Sequence, residues 1–107
     1  MEPSEELEPS FSISWETNAV GTPVLIAQGE LDLAAAPSLR GNLRTIIEMG
    51  AEMVVLDLEG VSFLDSAALA ALIEARTLTD VRLRAPSAVV VSLLDLTGLT
   101  EQFPLES

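Results

Sequence analysis

The sequence predicts one α/β domain on a mixed sheet of four or five strands, opened by an N-terminal hairpin. Three observations carry this. The chain has 107 residues, enough for one domain and too few for two. Alternating or continuously apolar runs, the mark of strands, recur at residues 11–15, 24–27, 53–58 and 81–84. Between and after the last three, apolar residues recur every three to four positions, as on helices. Strands that alternate with helices pair in parallel through right-handed crossovers.

Residues 1–10 begin Met1-Glu2-Pro3-Ser4-Glu5-Glu6 and read as a flexible acidic tail, leaving 11–107 as the single domain. This start lacks the apolar core of a secretory signal. Phe11-Ser12-Ile13-Ser14-Trp15 alternates as a half-buried strand does, residues 18–23 supply turn formers, and Val24-Leu25-Ile26-Ala27 completes a hairpin. Gly29-Glu30-Leu31-Asp32 ends that strand. From Ala36-Pro37-Ser38 onward, Leu39, Leu43, Ile46 and Ile47 form a helical stripe, with Pro37 suited to the first turn and Gly50 to the stop. Met53-Val54-Val55-Leu56-Asp57-Leu58 is nearly all apolar and fits a central strand buried on both faces. Residues 59–64 read as a short connection. Residues 65–75 favour helix at almost every position. Val81-Arg82-Leu83-Arg84 alternates as a short strand. Pro86-Ser87 opens a third helix carrying Val90, Leu93 and Leu94, and Gly98 closes it. Phe103-Pro104-Leu105 is expected as a last short strand. No internal repeat is present.

Composition narrows the chemistry. There is no cysteine, hence no disulfide framework, thiolate metal site or cysteine nucleophile. Histidine, the commonest general base and metal ligand, is absent too. All five basic residues are arginine, which excludes a Walker-type lysine loop and a Schiff-base lysine. Net charge is −12, so direct contact with nucleic acid is not expected, and a basic protein partner fits better. The same acidity also keeps an apolar-rich domain soluble. Apolar stretches fall short of the ~20 residues of a membrane helix, so no membrane insertion is expected and the protein reads as cytoplasmic.

The segment Leu64-Asp65-Ser66-Ala67-Ala68 places a polar pair between a strand's exit and an alanine-rich helix. Asp65 or Ser66 suits the N-cap, and both residues can be structural caps only. A serine at a helix N-terminus is also exposed, and a phosphate there can be held by helix amides. Phosphorylation would add roughly −1.5 to −2 charges. Asp32, Asp57 and Asp65 form a second constellation at strand ends if the second and third strands are neighbours. They could bind a divalent cation or serve a metal-dependent phosphatase-like enzyme, and Asp57 could be a receiver-type phosphoacceptor. A receiver needs a later lysine, which is missing, so no enzyme, metal or cofactor is expected. Ala67, Ala70, Ala71 and Glu74 line up on the following helix, either packed on the sheet or forming a docking face. Leu33, Leu64, Ala67 and Ala70 are the expected partner-binding face, with Asp32, Asp57 and Asp65 as acidic neighbours.

At these residues the chain resembles the STAS family, in particular bacterial anti-sigma-factor antagonists. The matching segments are Gly29-Glu30-Leu31-Asp32, Ala36-Pro37-x-Leu39-Arg40, Val54-Val55-Leu56-Asp57-Leu58-x-Gly60-Val61-x-Phe63-Leu64-Asp65-Ser66, Pro86-Ser87 and Leu94-Asp95-Leu96-Thr97-Gly98-Leu99. The resemblance implies a β-α superhelix with helices mainly on one face, and a binding module without a cofactor. It implies a partner that is both an anti-sigma factor and a serine-protein kinase, sequestered while Ser66 is unphosphorylated, so that transcription is regulated indirectly. Ser66 is then the phosphoacceptor, Asp32 and Asp65 its acidic neighbours, and a serine phosphatase resets it. The alternative is a STAS-type subunit of a lipid-transport or stress-signalling assembly without phosphorylation at Ser66. The family's Asp-Ser-Ser/Thr-Gly is Asp65-Ser66-Ala67-Ala68 here, and the added methyl at 68 is expected to narrow access to Ser66. The second helix is expected to be short. The chain ends at Ser107 without the family's last helix, and an uncovered sheet edge makes a homodimer a further expectation.

Overall fold

A computed structural model describes residues 10–106. The tail expected over residues 1–10 therefore lies, apart from Ser10, outside the described residues. The elements are β1 (Phe11–Thr17), β2 (Pro23–Leu31), α1 (Ala36–Glu48), β3 (Met53–Leu64), α2 (Ser66–Arg76), β4 (Asp80–Arg84), α3 (Ala88–Thr97) and a 3-10 turn at Thr100–Gln102. The sheet order is β1-β2-β3-β4, with β1 antiparallel to β2 and the other pairs parallel. Each crossover moves the chain one strand in the same direction, so right-handed connections put α1 and α2 on one face. There α1 packs against α2.

The core lies between that sheet face and the helices. Leu25, Leu56 and Leu83 align across β2, β3 and β4 and are all buried. Leu39, Leu43 and Ile46 of α1, Ala68, Leu72 and Ala75 of α2, and Val90 and Leu94 of α3 close over them. On the opposite face the aligned row is Ile26, Asp57 and Arg84, each only partly buried. Pro37 sits in the first turn of α1, and Gly50 follows that helix at φ +89°, a left-handed conformation glycine adopts without steric penalty. Gly98 ends α3 at φ +72°, with Leu99 N–H donating to Leu94 O at 2.8 Å.

One strand boundary differs from the sequence reading. β2 ends at Leu31, within the expected segment 29–32, but β3 does not stop at residue 58 and runs through the supposed connection to Leu64. The pairing explains why. Ile26 faces Asp57 but Gln28 faces Gly60, and Gly29 faces Val61 but Glu30 faces Phe63. At each shift β3 carries one residue more than β2, a pair of β-bulges. Buried residues in this stretch therefore fall at Leu58, Val61 and Leu64, three apart, and the two-residue alternation of a regular strand is lost. The expected last strand is a single parallel bridge, Leu83 to Leu105, beyond β4.

Candidate functional site

The ends of β2 and β3 meet at Leu31 and Leu64, and Asp65 N–H donates to Leu31 O at 3.2 Å. This bond fixes the residue before α2 against the end of β2. Asp65 is the N-cap, extended at φ −104° and ψ −176°. Its Oδ1 accepts from Ala67 N–H at 3.0 Å and Ala68 N–H at 3.1 Å, while its backbone carbonyl accepts from Leu69 N–H at 2.9 Å. The carboxylate thus satisfies amides that a helix start otherwise leaves open. Ser66 is the first residue of α2 and is exposed.

Asp32 lies at the same sheet end, directly after Leu31. Its Oδ1 accepts from Ala34 N–H at 3.0 Å and Ala35 N–H at 3.3 Å, and its carbonyl takes Ala35 and Ala36 N–H at 3.0 and 3.1 Å. This turn carries the chain from β2 into α1. Asp32, Asp65 and Ser66 are therefore brought together at one end of the sheet.

Three expectations need correction. Asp57 is not at this end. It pairs with Ile26 and Arg84 in mid-sheet, and the seven residues from it to Leu64 span about 20 Å of strand. Its carboxylate accepts from Glu59 N–H at 3.2 Å and adds to the field that raises the Arg84 pKa, whose largest cause is the hydrogen bond to Glu106. Leu64 is 5% exposed and belongs to the core, so it cannot offer its side chain to a partner. Finally, the amides of Ala67 and Ala68 are occupied by Asp65, so they are not free to hold a phosphate on Ser66.

The rest of the expected face divides. Leu33 is 73% exposed, Ala70 is exposed and Ala67 is partly buried, whereas Ala71 is in the core. Glu74 is bound to Arg40 of α1 at 3.0 Å. Ala68 is fully buried, so its methyl points into the core and does not crowd Ser66. One residue was missed: Phe63, 47% exposed, beside Glu30 in the register. The three-residue spacing of Leu58, Val61 and Leu64 was the available signal, because it assigns Phe63 to the outside.

The structure's stronger ion pairs lie elsewhere. Arg84 holds Glu106 at 2.7 and 2.9 Å and keeps its carboxyl below the ordinary carboxylate range, while Arg82 pairs with Asp80 at 2.9 and 3.0 Å. Among the described residues no group of three or more acidic side chains is placed to hold a metal ion. No described helix is long and apolar enough to cross a membrane.

Comparison with solved structures finds an anti-sigma factor antagonist from Mycobacterium paratuberculosis at TM-score 0.80 and 28% identity, covering 90% of this chain and 85% of that one. The phosphorylated form of SpoIIAA, a Bacillus cell fate determinant, aligns at TM-score 0.70 and 22% identity over 90% of this chain and 92% of that one. The unphosphorylated form of the anti-sigma factor antagonist SpoIIAA aligns at TM-score 0.73 and 24% identity over 90% and 89%. At these lower identities the likeness is one of fold. Comparison with curated protein sequences returns no match. The STAS domain model matches residues 15–107, nearly all of the domain whose sheet, crossovers and Asp65-capped helix are described above, and the chain belongs to the STAS domain family.

Proposed function

We propose that this chain is an anti-sigma-factor antagonist: a cytoplasmic, non-catalytic binding module that needs no cofactor. Unphosphorylated, it sequesters an anti-sigma factor that is also a serine-protein kinase. Phosphorylation of Ser66 releases that partner, and a serine phosphatase restores binding. The observation that carries the reading is Ser66 itself, exposed at the first position of α2 next to a cap whose carboxylate already holds the helix amides.

The physical consequence follows from charge. A phosphate on Ser66 brings roughly −1.5 to −2 charges. Asp65 has taken the Ala67 and Ala68 amides, so this charge is not neutralised by them. It adds to Asp32 and Asp65 at the same end of the sheet. In an interface such uncompensated charge costs several kcal/mol, and ~3 kcal/mol is about a hundredfold in affinity. Release then requires no change of fold. The anti-sigma factor antagonists similar to this chain support the partner class.

The test is incubation with each anti-sigma factor kinase of the source genome and ATP, read by intact mass and by titration of binding. Wild type should bind one kinase, gain a single phosphate and lose binding; Ser66→Ala should bind and gain none. If Ser66→Ala still gains phosphate, the site is wrong. If the kinase binds but wild type gains none, the chain is better read as an unphosphorylated subunit of another assembly.

A further inference from the structure

We infer that Phe63 is the apolar anchor by which this domain holds its protein partner, inserting into a pocket rimmed by basic side chains. The inference rests on the reading of the chain as a protein-binding module and names the chemistry of its contact. It begins with the second β-bulge. Because Glu30 pairs with Phe63 while Gly29 pairs with Val61, Ser62 is the extra residue, and the chain resets so that Leu64 points into the core. The bulge leaves Ser62 and Phe63 both exposed. Bulges are common where a strand must re-aim a side chain beside a site.

Phenylalanine is among the aromatic residues enriched in protein interfaces, where its ring buries a large apolar area. Phe63 lies three residues before Ser66, on the strand end that Asp65 ties to β2. Its surroundings name the occupant. Glu30 is its exposed register partner, and Asp32 and Asp65 stand at the same sheet end. No arginine occurs in residues 29–34 or 59–68, and of the five in the chain, Arg40, Arg82 and Arg84 are held by Glu74, Asp80 and Glu106. The anchor is thus apolar, and the charged residues at its strand ends, Glu30, Asp32 and Asp65, are all acidic. A basic partner complements it, while a second copy of a chain with net charge −12 would bring like charge to like.

About half of a phenylalanine's surface, roughly 90 Å², remains to be buried by the partner. Truncation to alanine should therefore weaken binding roughly ten- to fiftyfold. The experiment titrates the purified anti-sigma factor kinases of the source genome with wild type, Phe63→Ala, Phe63→Thr and Leu96→Ala. Thr keeps strand propensity, and Leu96 is an exposed apolar residue on α3, 83% accessible, that serves as control. The expected result is loss in both Phe63 variants with unchanged melting, no loss in Leu96→Ala, and a slower association of wild type at high salt. Binding of Phe63→Ala within about twofold of wild type, or equal loss in Leu96→Ala, overturns the anchor but leaves the antagonist reading standing. If Phe63→Ala alters only self-association, the occupant is a second copy and the inference is wrong. If wild type binds no anti-sigma factor kinase, the antagonist reading fails and the inference falls with it.

Discussion

Replacing Asp65 by alanine separates the stability of the site from the signalling role proposed for it. The carboxylate makes hydrogen bonds of 3.0 and 3.1 Å to Ala67 and Ala68 N–H. Removing an N-cap side chain costs about 1 kcal/mol on average, up to ~2, and losing its charge at a helix N-terminus adds roughly 0.3–1 kcal/mol. Ala68 is fully buried, so water has poor access to the amide left behind, which puts the cost at the upper end. The sum is about 2 kcal/mol, or a melting temperature lower by on the order of 10 °C. Asp32 provides the comparison. Its carboxylate also takes two amides, but Ala35 N–H is shared with the Asp32 carbonyl at 3.0 Å, so a partner remains after truncation. Asp32→Ala should cost only about 0.5–1 kcal/mol. Urea unfolding of both variants, with Asp65→Asn to retain the cap without its charge, measures these differences. An Asp65→Ala loss under about 0.5 kcal/mol, or an Asp32→Ala loss as large, would refute the assignment of Asp65 as the residue that holds the start of α2. A second readout follows. With the amides freed, Ser66→Glu should stabilise Asp65→Ala more than it stabilises wild type.

The remaining predictions test the frame around the site. Leu64→Ala should destabilise the domain by about 2–4 kcal/mol in urea unfolding, as for a core leucine, and not act as a surface change. Gly29 sits at φ +89° and an added Cβ would lie 2.1 Å from Ser10 O, so Gly29→Ala should cost about 2–4 kcal/mol and break the Glu30–Ser10 bond, seen as lost amide protection at Glu30. At Gly60 the Cβ meets only the Gln28 side chain, at 2.9 Å, so Gly60→Ala should cost under about 1 kcal/mol and be relieved by Gln28→Ala. Arg84 holds the Glu106 carboxyl below its ordinary value of 4.5, so this pair's contribution is present above that pH and disappears as pH falls through the lowered folded value. The stability difference between wild type and Glu106→Gln should be flat near neutrality and shrink only below pH 4.5, with the whole difference reduced by salt.

What was legible in the sequence was local. A helix start needs a side-chain acceptor just before a run of helix formers, and the sequence offers Asp65 or Ser66 before Ala67-Ala68 without help from the rest of the chain; the structure selects Asp65. Helices α1 and α3 announced themselves by apolar spacing and by Gly50 and Gly98 at their ends. The errors share one cause. A strand that takes two extra residues has no single period, so Leu58, Val61 and Leu64 did not read as strand and the end of β3 was placed six residues early. That misplacement set Asp57 beside Asp32, when it belongs in mid-sheet beside Arg84. It also exchanged two neighbours: a one-residue slip in a strand turns a side chain from one face to the other. Leu64 was assigned to the surface and Phe63 passed over, when the pairing buries the first and exposes the second.

The same carboxylate that makes the site legible also governs what a phosphate there could do. A helix N-terminus with open amides would draw a phosphate inward and neutralise part of its charge. With Asp65 Oδ1 on Ala67 and Ala68 N–H, those amides are taken, and Ala68 is sealed under the core. Phosphate on Ser66 must therefore remain at the surface, where its charge is felt by whatever approaches. On the proposed reading this is the useful outcome. A switch that spent its charge on the helix would stabilise the domain and leave the partner's surface little changed. One that keeps the charge exposed leaves the fold alone and acts on the interface. On the proposed reading, Asp65 is thus a cap whose occupancy of the amides would direct the phosphate's charge outward, so that an aspartate beside the serine would favour the proposed switch despite its like charge.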